Sequence, residues 1–340
     1  MRSLTRRLLP AAIALACAAL LTACGEKQDV INATSVRPFS VMLDWFPNAD
    51  HAALFTAIDH GYFKAAGMEV HAVTPSESAE PLKLLAAGKV DMAISYEPEV
   101  MIARDQGLKV VSIGALVQRP LTSIIALPSA HVHSVAQLAG KSVGTAGIPY
   151  QAAELHTALQ SAGVNPSKVT EVNVGFNLVQ SMLSGRVAAT LGGFWNYEAI
   201  QLELLHKHPL VIPVDKAGVP TYNELVLVVR EEEARHRGRE LRAFMQALTH
   251  GESEVRSDPA AAAALIQQAN PSLEPKLERL SIEHTLAAAS PSGGKPYGWQ
   301  EPAAWAHFAE WMYEKRLLQH NPNAQGLPPF TNEYLPGQGI

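Results

Sequence analysis

The sequence predicts an α/β protein of two lobes, each a sheet flanked by helices, joined by a two-strand hinge. Three observations carry this. From Pro38 onward, short runs rich in β-branched residues alternate with amphipathic helical stretches, the pattern of βαβ crossovers. The same order starts again after Gly140. Two extended stretches with no glycine, "PLTSIIALP" (120–128) and "YNELVLVV" (222–229), connect the halves outward and back. The length of 340 residues also suits two domains better than one core.

The first residues are not part of this fold. "MRSLTRRLLPAAIALACAALLTACGEKQ" has a basic start (Arg2, Arg6, Arg7), an apolar stretch from Leu8 to Leu21, and small residues before Cys24. That is a secretory signal, too short to span a membrane. "Leu21-Thr22-Ala23-Cys24" resembles the bacterial lipobox, which implies cleavage after residue 23 and a lipid on the Cys24 sulfur. Cys17 is the rival, with Ala14 instead of a branched apolar residue three positions upstream; a plain cleaved signal is the other alternative. Residues 1–23 are read as signal peptide and 24–37 as a polar tether. Cleavage removes three arginines and no acid, so the net charge moves from −5 to about −8. Cys24 is then the only cysteine, so a disulfide, a Cys-ligated metal site and a thiol nucleophile are excluded from the body of the protein.

The elements follow in order. "FSVML" reads as a strand, "AALFTAIDHGYFKAAG" as a helix closed by Gly67, "MEVHAVTP" as a strand and "SAEPLKLLAAG" as a helix closed by Gly88. "VDMAISY", "EPEVMIARDQG" and "LKVVSIGALV" continue as strand, helix and strand. In the second half, "GKSVGTAG", "VTEVNVG" and "RVAATLGGF" read as strands around the helices "PYQAAELHTALQSAG" and "NLVQSMLSG". Residues 84–99 sit beside 181–199, each a helix, a glycine, a basic residue, a strand and then an aromatic-plus-acid loop. Residues 45–53 sit beside 147–154, each a proline-bearing loop that opens a helix. Any α/β chain produces echoes of this kind; the functional alternative is two similar lobes. Lobe 1 is then 38–122 plus 226–340, lobe 2 is 123–225, and the C-terminal helices pack back on lobe 1.

Catalytic signatures are missing from the sequence. It holds no Gly-x-Ser-x-Gly, no Gly-rich phosphate loop and no Gly-x-Gly-x-x-Gly. The thirteen histidines show no His-Glu-x-x-His spacing, and His206 and His208 fall on a solvated helix end. No metal site and no cofactor are expected. The acidic balance, with no basic stripe, excludes nucleic acid.

The positive signal is aromatic. Trp45 and Phe46 follow the first strand, and Tyr96 with Glu97 follows the third. Tyr150 opens a helix, "GGFWNYEA" groups Phe194, Trp195 and Tyr197 with Asn196 and Glu198, and Tyr222 falls at the return hinge. Any one of these has a plain alternative as a cap on the core. Four or five at equivalent loop ends point to a cleft for a flat ligand, since open α/β sheets bind outside the carboxyl ends of their strands. Aromatic rings stack on flat ligands, and the neighbouring Asn, Asp and Glu hydrogen-bond to ring amines and nitrogens. Without an arginine cluster, a neutral or mildly cationic heteroaromatic fits better than a phosphate or sulfonate. Asp50 and His51 are adjacent and make a poor metal pair; Asp50 is expected to serve the first turn of a helix.

"LDWFPNADHAALFTAIDHGYFKAAGMEV", "ISYEPE", "ARDQGLKVVSIGALVQRPLTSIIALP", "GGFWNYEAI" and "GVPTYNELVLVV" resemble the thiamine-pyrimidine synthase-like family of periplasmic substrate-binding proteins over roughly 38–340. The resemblance is greatest to the branch that binds N-formyl-4-amino-5-aminomethyl-2-methylpyrimidine for an ABC importer. It implies the type II periplasmic-binding-protein fold, a mixed sheet in each lobe, and closure on a stacked pyrimidine. By position it implies Asp44, Trp45, Asn48 and His51 from the first loop, Tyr96 from the third strand, Tyr150, Trp195 and Glu198 from lobe 2, and Tyr222 from the hinge. It further implies a monomeric lipid-anchored protein of the cell envelope that partners an ABC permease and its ATPase. The family also holds riboflavin and other heterocycle binders, which remain an alternative. Fungal members make the pyrimidine with a Cys-rich iron-binding motif, for which this fold has no cysteine. An enzyme acting on a pyrimidine, with Glu198 or His51 as general acid or base, is the rival of a different class; a sensor ectodomain is disfavoured because nothing after residue 24 reads as a membrane span.

Overall fold

The computed structural model describes residues 36–77, 80–290, 293–321 and 328–339. The signal, Cys24 and nearly all of the tether fall outside the described residues. Among those described, no helix is long and apolar enough to cross a membrane.

Two five-stranded sheets organise the chain. The first has the order β2-β1-β3-β10-β4, built from β1 (Arg37–Met42), β2 (Met68–Val73), β3 (Met92–Ser95), β4 (Val110–Val117) and β10 (Leu225–Arg230). The second has the order β7-β6-β8-β5-β9, from β5 (Thr122–Ala126), β6 (Ser142–Thr145), β7 (Thr170–Asn173), β8 (Ala189–Phe194) and β9 (Leu210–Pro213). The two orders are the same pattern. In each, the first three strands of the unit are parallel and the fourth position is taken by an antiparallel strand arriving from the other half. β5 is the incoming strand of the second sheet and β10 the returning strand of the first. Both are buried on both faces apart from the last residue of β10. That explains why 120–128 and 222–229 read as extended stretches with no glycine: each is a central strand for most of its length. The segments that actually cross between the sheets are 118–121 going out and 214–224 coming back.

Helices cover the sheets. In the first half they are α1 (Ala52–Asp59), α2 (Tyr62–Ala65), α3 (Glu80–Ala86) and α4 (Glu97–Asp105). The sequence reads 52–67 as one helix; the structure breaks it at Gly61, whose φ of +71° ends one turn and starts the next. The second half carries α5 (Gln151–Ser161), α6 (Leu178–Leu183) and α7 (Glu198–Leu204). After β10 come α8 (Glu231–His236), α9 (Gly238–Ser257), α10 (Pro259–Ala269), α11 (Pro275–Ala288) and α12 (Pro302–Glu314). α9 and α10 pack on α1, as expected of helices returning to the first half. α11 does more: it lies against the 3-10 turn Ala49–His51 that precedes α1 and also against α7 of the second half. α12 buries Trp305, Phe308 and Met312, and Phe308 packs at a tilt against the ring of Tyr222 in the return crossing, 4.7 Å between centroids. The C-terminal segment therefore supports the first sheet and the crossing between the two.

Candidate functional site

The strand ends converge on one cavity. It is lined by Asp44 and Trp45 after β1, Tyr96 after β3, Ala146 and Ile148 after β6, Phe176 and Leu178 after β7, and Phe194 and Glu198 at the end of β8 and the start of α7. Every one of these loops leaves the carboxyl end of a parallel strand, the position at which open α/β sheets bind ligands. The space opens to solvent between the two halves. Three residues come from the first half and six from the second, so the cavity exists only where the halves meet.

The floor on the first side is a hydrogen-bonded unit. Asn48 is the cap of the Ala49–His51 turn: its Oδ1 accepts from the Asp50 N–H at 2.8 Å, and its own N–H donates to His51 Nδ1 at 3.3 Å. This is a capping box with a histidine in the reciprocal place. Because Nδ1 accepts, the ring's hydrogen sits on Nε2, 2.8 Å from Asp44 Oδ1. Tyr96 donates its hydroxyl to Asp44 Oδ2 at 2.9 Å. Asp44 is thus held by two buried donors while its carboxylate lines the cavity. Asn48 and His51 act behind it and do not themselves line the space.

The walls are aromatic. Trp45 meets Phe46 at 3.9 Å between centroids, Phe176 at 5.9 Å from across the cavity, and the edge of Tyr197 at 5.8 Å. Tyr96 meets Tyr150 edge-on at 6.2 Å. Glu198 stands on the second side. Its Oε2 accepts the Phe194 N–H at 2.8 Å. Burial pushes the Glu198 carboxyl up to about 7, against the lowering effect of that N–H, and the nearby Asp50 charge adds to the rise. No Lys or Arg is among the lining residues.

Gly192 fixes this geometry. Its φ is +111°, and a side chain there would collide with Gln151. Gln151 in turn accepts the Ala146 N–H at 2.9 Å, holding the loop that brings Ile148 to the cavity. Next to it, the pairing of β5 with β8 shifts register between Ser123 and Ile124.

Behind the cavity, the loop after β8 reaches to α11. Asn196 donates to Asp50 Oδ1 and to Thr285 Oγ1, each at 2.6 Å. The Tyr197 hydroxyl donates to Glu278 Oε1, also at 2.6 Å. Burial pushes Asp50 up to about 6 and Glu278 up to about 7. Asp50 is in the first turn, as the sequence suggests, and it also joins the two halves.

The remaining sequence candidates fall at the crossing. Tyr222 is buried against Phe308, with its hydroxyl 3.4 Å from Glu224 Oε2. Glu224 clasps the outgoing crossing, accepting from the N–H groups of Leu121 and Thr122 at 2.6 and 2.8 Å. Tyr150 is the residue before α5, makes no side-chain capping bond, and meets the Tyr96 ring edge-on. Trp195 lies outside the cavity lining: its Nε1 donates to Pro120 O at 3.0 Å, and Arg119 sits 5.4 Å over its ring. The lining position in that stretch is held by Phe194. Of the nine candidates the structure brings Asp44, Trp45, Tyr96 and Glu198 to the cavity, places Asn48, His51 and Tyr150 one layer behind, and puts Trp195 and Tyr222 at the crossing. Sequence reasoning missed Phe176, although an aromatic directly after β7 satisfied the rule that found Trp45 and Tyr96. Ile148 and Leu178 carried no signal. Among the described residues no group of three or more His, Cys, Asp or Glu side chains is arranged to hold a metal ion.

The family described as NMT1/THI5 like matches residues 48–262. A formylaminopyrimidine-binding protein of Halalkalibacterium halodurans is 34% identical over 305 residues, covering 88% of this chain and 92% of that protein. A putative thiamine biosynthesis protein of Haemophilus influenzae is 34% identical over 295 residues, covering 86% and 91%. Among solved structures, the alkanesulfonate-binding protein SsuA from Xanthomonas axonopodis pv. citri, bound to MOPS, superposes with a TM-score of 0.65 at 17% identity, covering 84% of this chain and 95% of that one. The likeness identifies the fold: two lobes of the periplasmic-binding-protein type.

Proposed function

The chain belongs to the NMT1/THI5-like family, and from that premise we propose that it is the substrate-binding lipoprotein of an ABC importer. Its ligand is a thiamine-related pyrimidine, N-formyl-4-amino-5-aminomethyl-2-methylpyrimidine, captured in the cell envelope for salvage. The observation that carries this reading is the cavity itself: aromatic walls from both halves, two carboxyl groups, and no cationic side chain. A flat ring with amino donors matches such a space, whereas an oxyanion finds no partner in it.

In this reading Trp45 stacks on the ring, with Phe176 and Phe194 closing the other sides. Asp44 accepts from an exocyclic donor, oriented by His51, Asn48 and Tyr96. Glu198 meets the ring edge from the second lobe. Tyr150 supports Tyr96, while Tyr222 and Trp195 set the crossing on which the lobes turn. Lobe 1 (38–122 plus 226–340) and lobe 2 (123–225) close as bodies over the ligand, and the closed form is what the permease recognises. Cys24 carries the lipid that keeps the protein at the membrane. The protein returns its ligand unchanged; it is not an enzyme.

The test is incubation of purified protein with this pyrimidine, followed by native mass spectrometry and recovery of the ligand. We expect a one-to-one complex and unaltered ligand. A converted product would contradict the binding reading, and selective capture of riboflavin would replace the ligand.

A further inference from the structure

Two carboxyl groups line the cavity and no base offsets them. Glu198 bears the sharper conflict. Its Oε2 accepts the Phe194 N–H, its own backbone N–H also favours the carboxylate, and the residue lines the cavity. The groups that face it are acidic or neutral. Asp50 lies behind it in the first lobe, held by Asn196. Asp44 shares the cavity and takes the Tyr96 hydroxyl and the His51 Nε2 hydrogen. On its own side, Tyr197 directs its hydroxyl away to Glu278. An ionised Glu198 pressed against a ring nitrogen would set negative charge against a lone pair in an acid-lined space.

We propose, resting on the aminopyrimidine reading, that binding takes up one proton from solvent and holds it between the Glu198 carboxyl and a ring nitrogen of the ligand. The hydrogen completes a donor–acceptor contact that neither the ionised acid nor the neutral ring makes alone. No bond to carbon forms or breaks. The net charge of the closed cavity rises by one relative to ionised Glu198 with neutral ligand. The elevated proton affinity of the buried carboxyl, pushed up to about 7, runs in the same direction. The open cleft hydrates Glu198 and lets it ionise, so the proton is acquired on closing.

Linkage gives the sign. Uptake of one proton makes affinity fall about tenfold for each pH unit above the ionisation of the free partners. The substitution Glu198→Gln provides the internal control. An amide accepts the Phe194 N–H with its oxygen and presents an N–H donor to the ring nitrogen without borrowing a proton.

The experiment is calorimetric titration of N-formyl-4-amino-5-aminomethyl-2-methylpyrimidine between pH 7.5 and 9, in buffers of different ionisation enthalpy. For the wild type we expect about one proton taken up per ligand and a roughly tenfold weakening per pH unit. For Glu198→Gln we expect proton uptake near zero and affinity changing less than about threefold over the same range. Glu198→Ala weakens binding at every pH. Wild-type binding that is flat with pH and buffer overturns the proposal. So does a Glu198→Gln profile as steep as the wild type, because it places the proton elsewhere. Absence of any wild-type binding at any pH instead sinks the ligand assignment, and this inference falls with it.

Discussion

The Tyr197 hydroxyl lies 2.6 Å from Glu278 Oε1, tying the loop after β8 to helix α11. The contact runs between residues 81 apart in sequence and between the two halves of the fold. Beside it, Asn196 reaches Asp50 and Thr285. None of these groups lines the cavity, yet all of them are made only when the halves are together. In the proposed closing motion they stabilise the closed form, and so feed into affinity without touching the ligand. Tyr197→Phe removes one such bond and leaves Glu278 short of its donor. We expect about a five- to tenfold loss of affinity, the equivalent of the ~1–1.5 kcal/mol that a buried hydrogen bond contributes, appearing mainly as faster release. Stopped-flow measurement of dissociation checks this; an unchanged off-rate would show that the contact does not hold the closed state.

The wall residues separate two tryptophans. Trp45 lines the cavity and meets Phe176 across it, whereas Trp195 hydrogen-bonds to Pro120 at the crossing. Stacking of a ring on an aromatic side chain contributes about 1–3 kcal/mol, so Trp45→Ala is expected to weaken binding by roughly 10- to 100-fold. Trp195→Ala is expected to leave affinity within about threefold and to cost stability instead, through the lost Nε1 bond. Parallel titration and thermal melts of the two variants measure both effects; a larger affinity loss in Trp195→Ala would reverse the assignment of the walls.

That pair also shows what the sequence carries and where it stops. Trp45 and Tyr96 are legible because each lies within three residues of the end of a regular parallel strand, where the chain leaves the sheet's carboxyl end. The choice between Phe194 and Trp195 is not legible. Strand faces alternate with a period of two, and a single bulge reverses them. The register shift of β5 against β8, next to Gly192 at φ +111°, is such a break, and nothing local in "LGGFWN" states which aromatic ends inside. The repeat of strand order was readable from the echo of helix, glycine and strand. The path of α11 was not, because its contacts to the 49–51 turn and to α7 depend on packing between segments far apart in sequence.

Stability should depend on pH through α4. Burial pushes Glu97 up to about 8 and Glu99 up to about 7, outweighing the Asn223 and Ser95 hydrogen bonds that lower them. A carboxyl whose folded pKa lies above its unfolded value of ~4.3 contributes stability that is fully present below that value and is lost as pH rises through the folded pKa. Thermal midpoints are therefore expected to fall between pH 6 and pH 9. Glu97→Gln should flatten the upper part of that decline, because the amide cannot ionise. Melting curves across the range test this, and a midpoint that rises with pH would contradict it.

Gly251 marks the closest approach of α9 to α1. A methyl group there would run into the backbone oxygen of Ala53 and sit 2.9 Å from the Ala57 side chain. Alanine would gain about 1 kcal/mol in helix propensity. The clash is with a backbone atom that cannot swing aside, and overpacking of this kind costs about 1–3 kcal/mol. The clash is expected to win, so Gly251→Ala lowers stability. Urea unfolding at neutral pH measures the sign; a more stable variant would mean the helices separate freely.

In the proposed function, an acid-lined aromatic cavity between two lobes captures an aminopyrimidine. Titration of N-formyl-4-amino-5-aminomethyl-2-methylpyrimidine into the purified protein by calorimetry tests it most directly. One saturable site per chain is expected, with an affinity on the order of micromolar or tighter, about −8 kcal/mol or more favourable, and much weaker binding of riboflavin. No saturable heat with the pyrimidine, under conditions where the protein is folded, would contradict it.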